Sequence, residues 1–193
     1  MMKKLIGGPM LGILGAGRAG TAMARLALKA GYCVLNSNSR GPESLLLMVE
    51  VLMPGAVAAT SDEVADRLSG KIVIDAMNYW AIGGGMLAEF EASPGRSSET
   101  VQAFLAGSRV VKTLNHMGYL ELEEQGLPAG TPGRRAFAFA GDDPEAKMIV
   151  AGLISDLGFD SFDAGLLSEG WRFAPGSPIF GGSFNLEELR SAP

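Results

Sequence analysis

MLGILGAGRAG, residues 10–20, decides the reading of this 193-residue chain. Met10 to Leu14 is a short apolar run that ends in glycine, which predicts a buried strand. Gly15-Ala16-Gly17-Arg18-Ala19-Gly20 follows, a G-x-G-x-x-G. Arg18 to Ala30 then carries Ala19, Ala22, Met23, Leu26 and Ala30 at helical spacing. Strand, glycine loop and helix in that order give each glycine a task. Gly15 permits the tight turn, Gly17 lets a pyrophosphate approach the backbone, and Gly20 lets the helix pack close to the strand. The helix's free N–H groups and positive dipole end suit phosphates. The same three letters in a chain with 27 glycines mean little alone; their place between strand and helix points to a dinucleotide. A plain structural turn is the competing reading.

Working outward, Gly31 stops the helix and Cys33 to Asn36 (CVLN) is a second strand. Asn36-Ser37-Asn38-Ser39-Arg40 follows, with no acid before Glu43. An NAD site places Asp or Glu there to accept from the ribose 2′-OH. Hydroxyls and a guanidinium suit a 2′-phosphate, which would repel a carboxylate, so NADP is favoured over NAD. The alternative for Arg40 is a solvated loop charge.

Strands and helices alternate along the rest of the chain. The pattern predicts a helix over Pro42 to Leu52, a weak strand over Ala56 to Ala59 and a short helix over Ser61 to Leu68. Lys71 to Ala76 (KIVIDA) and Arg109 to Leu114 (RVVKTL) are strands around a helix at Ser97 to Leu105, with a glycine-rich loop at Gly83 to Gly85. Glu121 to Pro132 reads as a loop, and Glu121, Glu123 and Glu124 as a solvated acidic face. Arg135 to Ala140 alternates as a strand. Asp142 and Asp143 cap a helix from Pro144 to Leu157 that Gly158 ends, and Phe159 to Asp163 is a last strand. Asn185 caps a final turn. The class is α/β with a mostly parallel sheet.

Composition narrows the function. A net charge of -5 without a basic run argues against nucleic acid. One cysteine, Cys33, and one histidine, His116, can form neither an internal disulfide nor a usual zinc site, so no metal ligand is assigned. No run reaches the length of a membrane span. Lys3 and Lys4 ahead of an apolar stretch imitate a signal peptide, but that stretch flows into the glycine loop and reads as the first strand. A cytoplasmic location suits the lone thiol.

Several stretches together resemble the NADPH-dependent coenzyme F420 reductase family. They are GILGAGRAG, SNSRGPESL at 37–45, KIVIDAMNYW at 71–80, RVVKTLNHMGY at 109–119, AGDDPEAK at 140–147 and LGFDSFDAGLLSEG at 157–170. The resemblance covers most of the chain. It implies a doubly wound Rossmann domain, 1–132, with a C-terminal extension, 133–193, packed on the same sheet and helping form a second-ring pocket. It also implies a homodimer, and direct hydride transfer between NADP(H) and a deazaflavin (F420) or flavin-like ring. No acid–base side chain is obligatory, so no catalytic residue is assigned. Gly15, Gly17, Arg18, Ala19 and Gly20 match the pyrophosphate loop. Asn38, Ser39 and Arg40 lie at the 2′-phosphate, and Asn78 sits where the family's chain passes the nicotinamide ribose. Asn115, His116, Met117 and Tyr119 sit where the family lines the gap between its two cofactors.

The pattern departs between Ala59 and Lys71. The family has a further apolar strand and helix there, and this chain has one short helix. That bears on catalysis more than on phosphate binding. Two other functions therefore stand beside the first: an NADP-dependent reductase of an unrelated small substrate, and a non-catalytic NADP-binding sensor or partner protein. Tyr79 and Trp80 could stack on a planar ring or cover the sheet end. His116 could donate a proton, or form a pocket wall or surface.

Overall fold

The computed structural model describes residues 9–65, 68–79 and 96–192. The basic Lys3 and Lys4, the end of the helix expected to reach Leu68, Trp80 and the loop at Gly83 to Gly85 fall wholly or partly outside them. The described residues have the α/β alternation expected, and they gather into two compact units. One comprises 1–67 and 119–124, the other 68–118 and 125–193.

The first unit is built on three parallel strands, β1 (Met10–Leu14), β2 (Cys33–Ser37) and β3 (Val57–Ala59), in the order β1-β2-β3. Helix α1 (Arg18–Lys29) turns its alanine face to the sheet. Ala24 and Ala27 meet Ile13, Val34, Met53 and Ala56 in one apolar cluster. Small side chains bring helix and sheet close, and the cluster excludes water from both. β1 is more exposed than its apolar run suggests. Only Ile13 is buried, because β1 lies at the edge of its three-stranded sheet. The segment expected as one helix, 42–52, divides into a 3-10 turn at Pro42–Leu45 and α2 (Leu46–Leu52). Gly41, at φ +89°, sets that tight entry, and the Ser44 hydroxyl donates to its carbonyl at 2.7 Å. Helix α3 (Ser61–Ala65) starts on a reciprocal cap. The Thr60 N–H donates to Glu63 (2.8 Å) and the Glu63 N–H to the Thr60 hydroxyl (3.0 Å).

The second unit carries a mixed sheet of β4 (Ile72–Asp75), β5 (Arg109–Lys112), β6 (Ala136–Gly141) and β7 (Asp160–Asp163), in that order. β4 pairs β5 and β6 pairs β7 in parallel; β5 and β6 are antiparallel. The strands thus sort into two sheets, and residues 136–163 supply two strands of the second. α4 (Ser97–Phe104) joins β4 to β5 in sequence, and α6 (Pro144–Asp156) joins β6 to β7. β6 is buried along its whole length. Its alanines pack on Phe173, Ile179 and Leu189 of the C-terminal segment, and Phe137 meets Phe159 edge-on at 5.0 Å. Asp143 caps α6 by accepting the Ala146 N–H at 2.7 Å, and Asn185 and Glu188 form a capping box on α7 (Leu186–Ser191).

The expected loop at 121–132 begins instead with a helix, α5 (Tyr119–Glu124), in the first unit. Its acidic composition hid one apolar anchor, the buried Leu122. Glu123 is no free surface charge: it forms a two-pronged ion pair with Arg25 of α1, one prong at 2.7 Å.

Candidate functional site

The glycine loop has the geometry its sequence demands. Gly15 lies at φ +113°, a conformation that side chains disfavour, and its N–H donates to the Ser37 carbonyl at 2.9 Å. The loop is thereby tied to the end of β2. Gly17 is the N-cap of α1 and carries no side-chain cap, and a Cβ added to it would meet nothing within 4 Å. The first helical bond runs from the Thr21 N–H to the Gly17 carbonyl at 2.9 Å. The N–H groups of Arg18, Ala19 and Gly20 precede it and have no helical carbonyl to reach. They border the open space over Gly17. A Cβ on Gly20, by contrast, would overlap the Gly15 carbonyl oxygen. Gly20 is a packing residue, and Gly17 leaves room for a ligand. The sequence also concealed a fourth glycine. A Cβ on Gly12 would stand 2.9 Å from Val64 of α3, so this residue sets how near that helix approaches β1.

The end of β2 is equally open. Asn38 folds the loop on itself: its Oδ1 accepts the Arg40 N–H at 2.9 Å, and its Nδ2 donates to Ser44 at 3.0 Å. The Ser61 hydroxyl holds the Asn38 carbonyl at 3.0 Å. Ser39 and Arg40 are exposed, and among the described residues no hydrogen bond or ion pair engages the Arg40 guanidinium. Arg18, in the first turn of α1, donates to the Tyr119 hydroxyl at 3.1 Å and lies 5.8 Å from its ring centre. Tyr119 is therefore a neighbour of the glycine loop within the first unit. Asn115, His116 and Met117, expected beside it, belong to the second unit.

In the second unit, Asn78 and Asn115 form a reciprocal pair just beyond β4 and β5. Asn78 Nδ2 donates to the Asn115 carbonyl at 2.7 Å, and Asn115 Nδ2 donates to Asn78 Oδ1 at 3.1 Å and to the Phe173 carbonyl at 3.0 Å. His116 is buried, neither exposed nor free. Its Nε2 accepts the Ala138 N–H at 3.0 Å, and Thr113 Oγ1 donates to the Ala138 carbonyl at 2.8 Å. Main-chain pairing of β5 with β6 covers only Val111–Gly141 and Lys112–Ala140, so these two side chains serve the next β6 peptide in its place. Burial, reinforced by the positive charge of Arg135, lowers the His116 pKa to about 4. The ring is neutral at pH 7, and its acceptor nitrogen already has a partner.

Sequence reasoning missed Lys112 and Asp75, one charge at the end of each of two apolar strands. They are register partners and both are buried, with Nζ and Oδ2 3.3 Å apart. A lysine closing RVVK and an aspartate closing IVID were the signal. A shallow cleft of about 270 Å³, lined in part by Gln102, Arg109 and Asp142, lies at the amino end of β5. Ligands of open α/β sheets bind at the opposite, carboxyl ends.

Residues 10–67 match the family described as NADP oxidoreductase, coenzyme F420-dependent. The protein YjhV of Escherichia coli (strain K12) is 39% identical over 69 residues, which are 36% of this chain and 50% of YjhV. The chain thus spans about half the length of this curated relative. The crystal structure of protein SMa0349 from Sinorhizobium meliloti is similar with a TM-score of 0.76 and 26% identity, covering 92% of this chain and 95% of that one. A protein from Arthrobacter sp. FB24, named for F420-dependent NADP reduction, has a similar fold, with a TM-score of 0.68 and 24% identity over 92% of this chain and 99% of that one.

Proposed function

We infer, from the match of residues 10–67 to the family described as NADP oxidoreductase, coenzyme F420-dependent, that this protein is an NADP-dependent oxidoreductase. Its second substrate in this reading is a deazaflavin of the F420 type or a flavin-like ring. The observation that carries it is the open space over Gly17 beside three helix-terminal N–H groups, a cradle for a pyrophosphate. Arg18, Ala19 and Gly20 supply those groups and Gly15 shapes the turn. The unengaged Arg40 guanidinium, with Ser39 and the turn held by Asn38, supports a 2′-phosphate over a bare 2′-OH.

When bound, NADP(H) would exchange a hydride with that second ring. Asn78 is the residue proposed for the nicotinamide ribose, and Asn115, His116, Met117 and Tyr119 for the partner ring. With its Nε2 bonded to a backbone N–H, His116 shapes this region and moves no proton. The protein's contribution is orientation, because a direct transfer between two rings requires alignment rather than a proton donor. A homodimer in the cytoplasm completes the reading. Among the described residues no helix is long and apolar enough to cross a membrane.

Calorimetric titration with NADPH, NADH and 2′,5′-ADP tests the cofactor, and nicotinamide absorbance with added F420 or FMN tests the acceptor. NADPH-selective binding and oxidation of NADPH only when one ring is present are expected. Equal affinity for NADPH and NADH would remove the 2′-phosphate argument. Selective binding with no oxidation by either ring would remove the acceptor and favour the sensor or unrelated-substrate reading.

A further inference from the structure

Asn36 breaks the apolar pattern of the first unit's core. It lies in β2 and is fully buried, and neither its Nδ2 nor its Oδ1 has a partner among the described residues. A carboxamide carries two N–H donors and an acceptor, and leaving them unpaired in a packed interior is unfavourable. A leucine of similar size would fill the same space without that penalty. Its register partners are Ile13 of β1 and Ala58 of β3, and neither side chain can form a hydrogen bond with it. A polar group kept against the local rule marks a place where function makes another demand.

The position of Asn36 identifies that demand. Side chains two apart on a strand share a face. Val34 packs with Ala24 and Ala27 of α1, so Asn36 faces the same helix. Helix α1 runs back from the carboxyl end of β1 to the amino end of β2, and a step from Val34 to Asn36 is therefore a step toward the start of α1. Ile13, level with Asn36, agrees: its Cγ2 lies 3.4 Å from where a Cβ on Gly20 would stand. The next residue, Ser37, accepts the Gly15 N–H at its carbonyl. Asn36 thus stands beneath the first turn of α1, where Arg18, Ala19 and Gly20 present N–H groups with no helical carbonyl to reach. All of these residues belong to the first unit.

We propose that Asn36 is a further, affinity-determining residue of the phosphate site: its Nδ2 donates to an enclosed water, which donates in turn to a pyrophosphate oxygen held at the start of α1. Both carboxamide atoms are closed to solvent, so the ligand does not touch them, and one water is the link that serves a buried donor and an anion together. A neutral donor suits the position, because it attracts the anion without placing a charge in the core. This rests on the nucleotide reading above and deepens it.

The test uses the full chain and three ligands. NADPH and 2′,5′-ADP both carry the 5′-phosphate, whereas 2′-AMP keeps only the 2′-phosphate. Asn36→Leu removes the donor at similar volume. In the folded variant, affinity for NADPH and for 2′,5′-ADP should fall about fivefold, and affinity for 2′-AMP should stay unchanged. Unchanged NADPH affinity would make Asn36 a packing residue only, and an equal loss for 2′-AMP would make the effect a general distortion; either result overturns the proposal. Nitrogen-15 NMR of the unmodified protein is a second measurement, which does not depend on any variant folding. The side-chain amide signal of Asn36 should shift on saturation with 2′,5′-ADP and stay in place with 2′-AMP. No shift with 2′,5′-ADP, or the same shift with both, would overturn the proposal. If the unmodified protein binds neither NADPH nor 2′,5′-ADP, the nucleotide reading itself fails and this inference falls with it.

Discussion

The glycine loop of the first unit and the strand ends of the second unit use polar groups in opposite ways. Around Gly17 and Arg40, helix-terminal N–H groups, a serine hydroxyl and a guanidinium have no partner among the described residues. Beyond β4 and β5 the polar groups are bonded to each other. Asp75 accepts from Ser98, Lys112 and Met77; Asn78 and Asn115 pair; the Ala138 peptide is served by His116 and Thr113. A site that must hold a mobile polyanion keeps its donors open to solvent. In the second region burial favours pairing, because an unpaired polar group in a low-dielectric interior is costly, although Asn115 Oδ1 and His116 Nδ1 are buried without a partner among the described residues. Substitutions should therefore leave stability largely intact in the first region and lower it in the second.

The largest effect is expected at Lys112. Lys112→Met leaves Asp75 charged and buried without its cation, which should lower stability by ~3–5 kcal/mol. Chemical denaturation reads this directly, and adding Asp75→Asn should recover a substantial part. A loss below about 1 kcal/mol, the range of an exposed pair, would show that the pair is solvated.

His116 comes next. Its folded pKa, about 4, lies below the unfolded value of 6.5, so the unfolded chain binds the proton more tightly. Stability should be complete above about pH 6.5 and fall as the pH approaches 4, by ~3 kcal/mol in total. His116→Gln offers Ala138 a non-titrating acceptor and should flatten this part of the pH profile. An unchanged slope would place the acid sensitivity elsewhere.

Gly17→Val sharpens the contrast from the other side. Its backbone angles are extended and the space for a side chain is open, so the fold should be kept within about 1 kcal/mol. NADPH binding should drop at least ~100-fold, because the valine fills the phosphate space. Retained binding would make the loop a structural turn only. The smallest effect belongs to Arg40→Ala. NADPH affinity should fall ~10-fold with NADH affinity and stability unchanged, since a charge-assisted contact faces only the 2′-phosphate. Equal losses for the two nucleotides would sink the NADP assignment.

Much of the first region was legible in advance because its logic is local. A turn at φ +113° and a close helix–strand approach each require glycine at one position, and the chain places Gly15 and Gly20 there. The absence of an acid after β2 and the caps at Asp143 and Asn185 were local signals of the same kind.

Other features depended on residues distant in sequence. Helix α5 was hidden by its three glutamates; the fold buries Leu122 and pairs Glu123 with Arg25 of α1. The burial of His116 follows from a gap in the β5–β6 ladder that strand patterning does not reveal. Register set Lys112 opposite Asp75, and with it the fate of both charges.

By itself, the sequence determined the α/β alternation and the glycine loop, because each depends on backbone sterics within a few residues. The tertiary structure alone decided which polar groups stay open to a ligand and which are closed on one another. That choice depends on which buried donors and acceptors the packed strands bring within hydrogen-bonding distance.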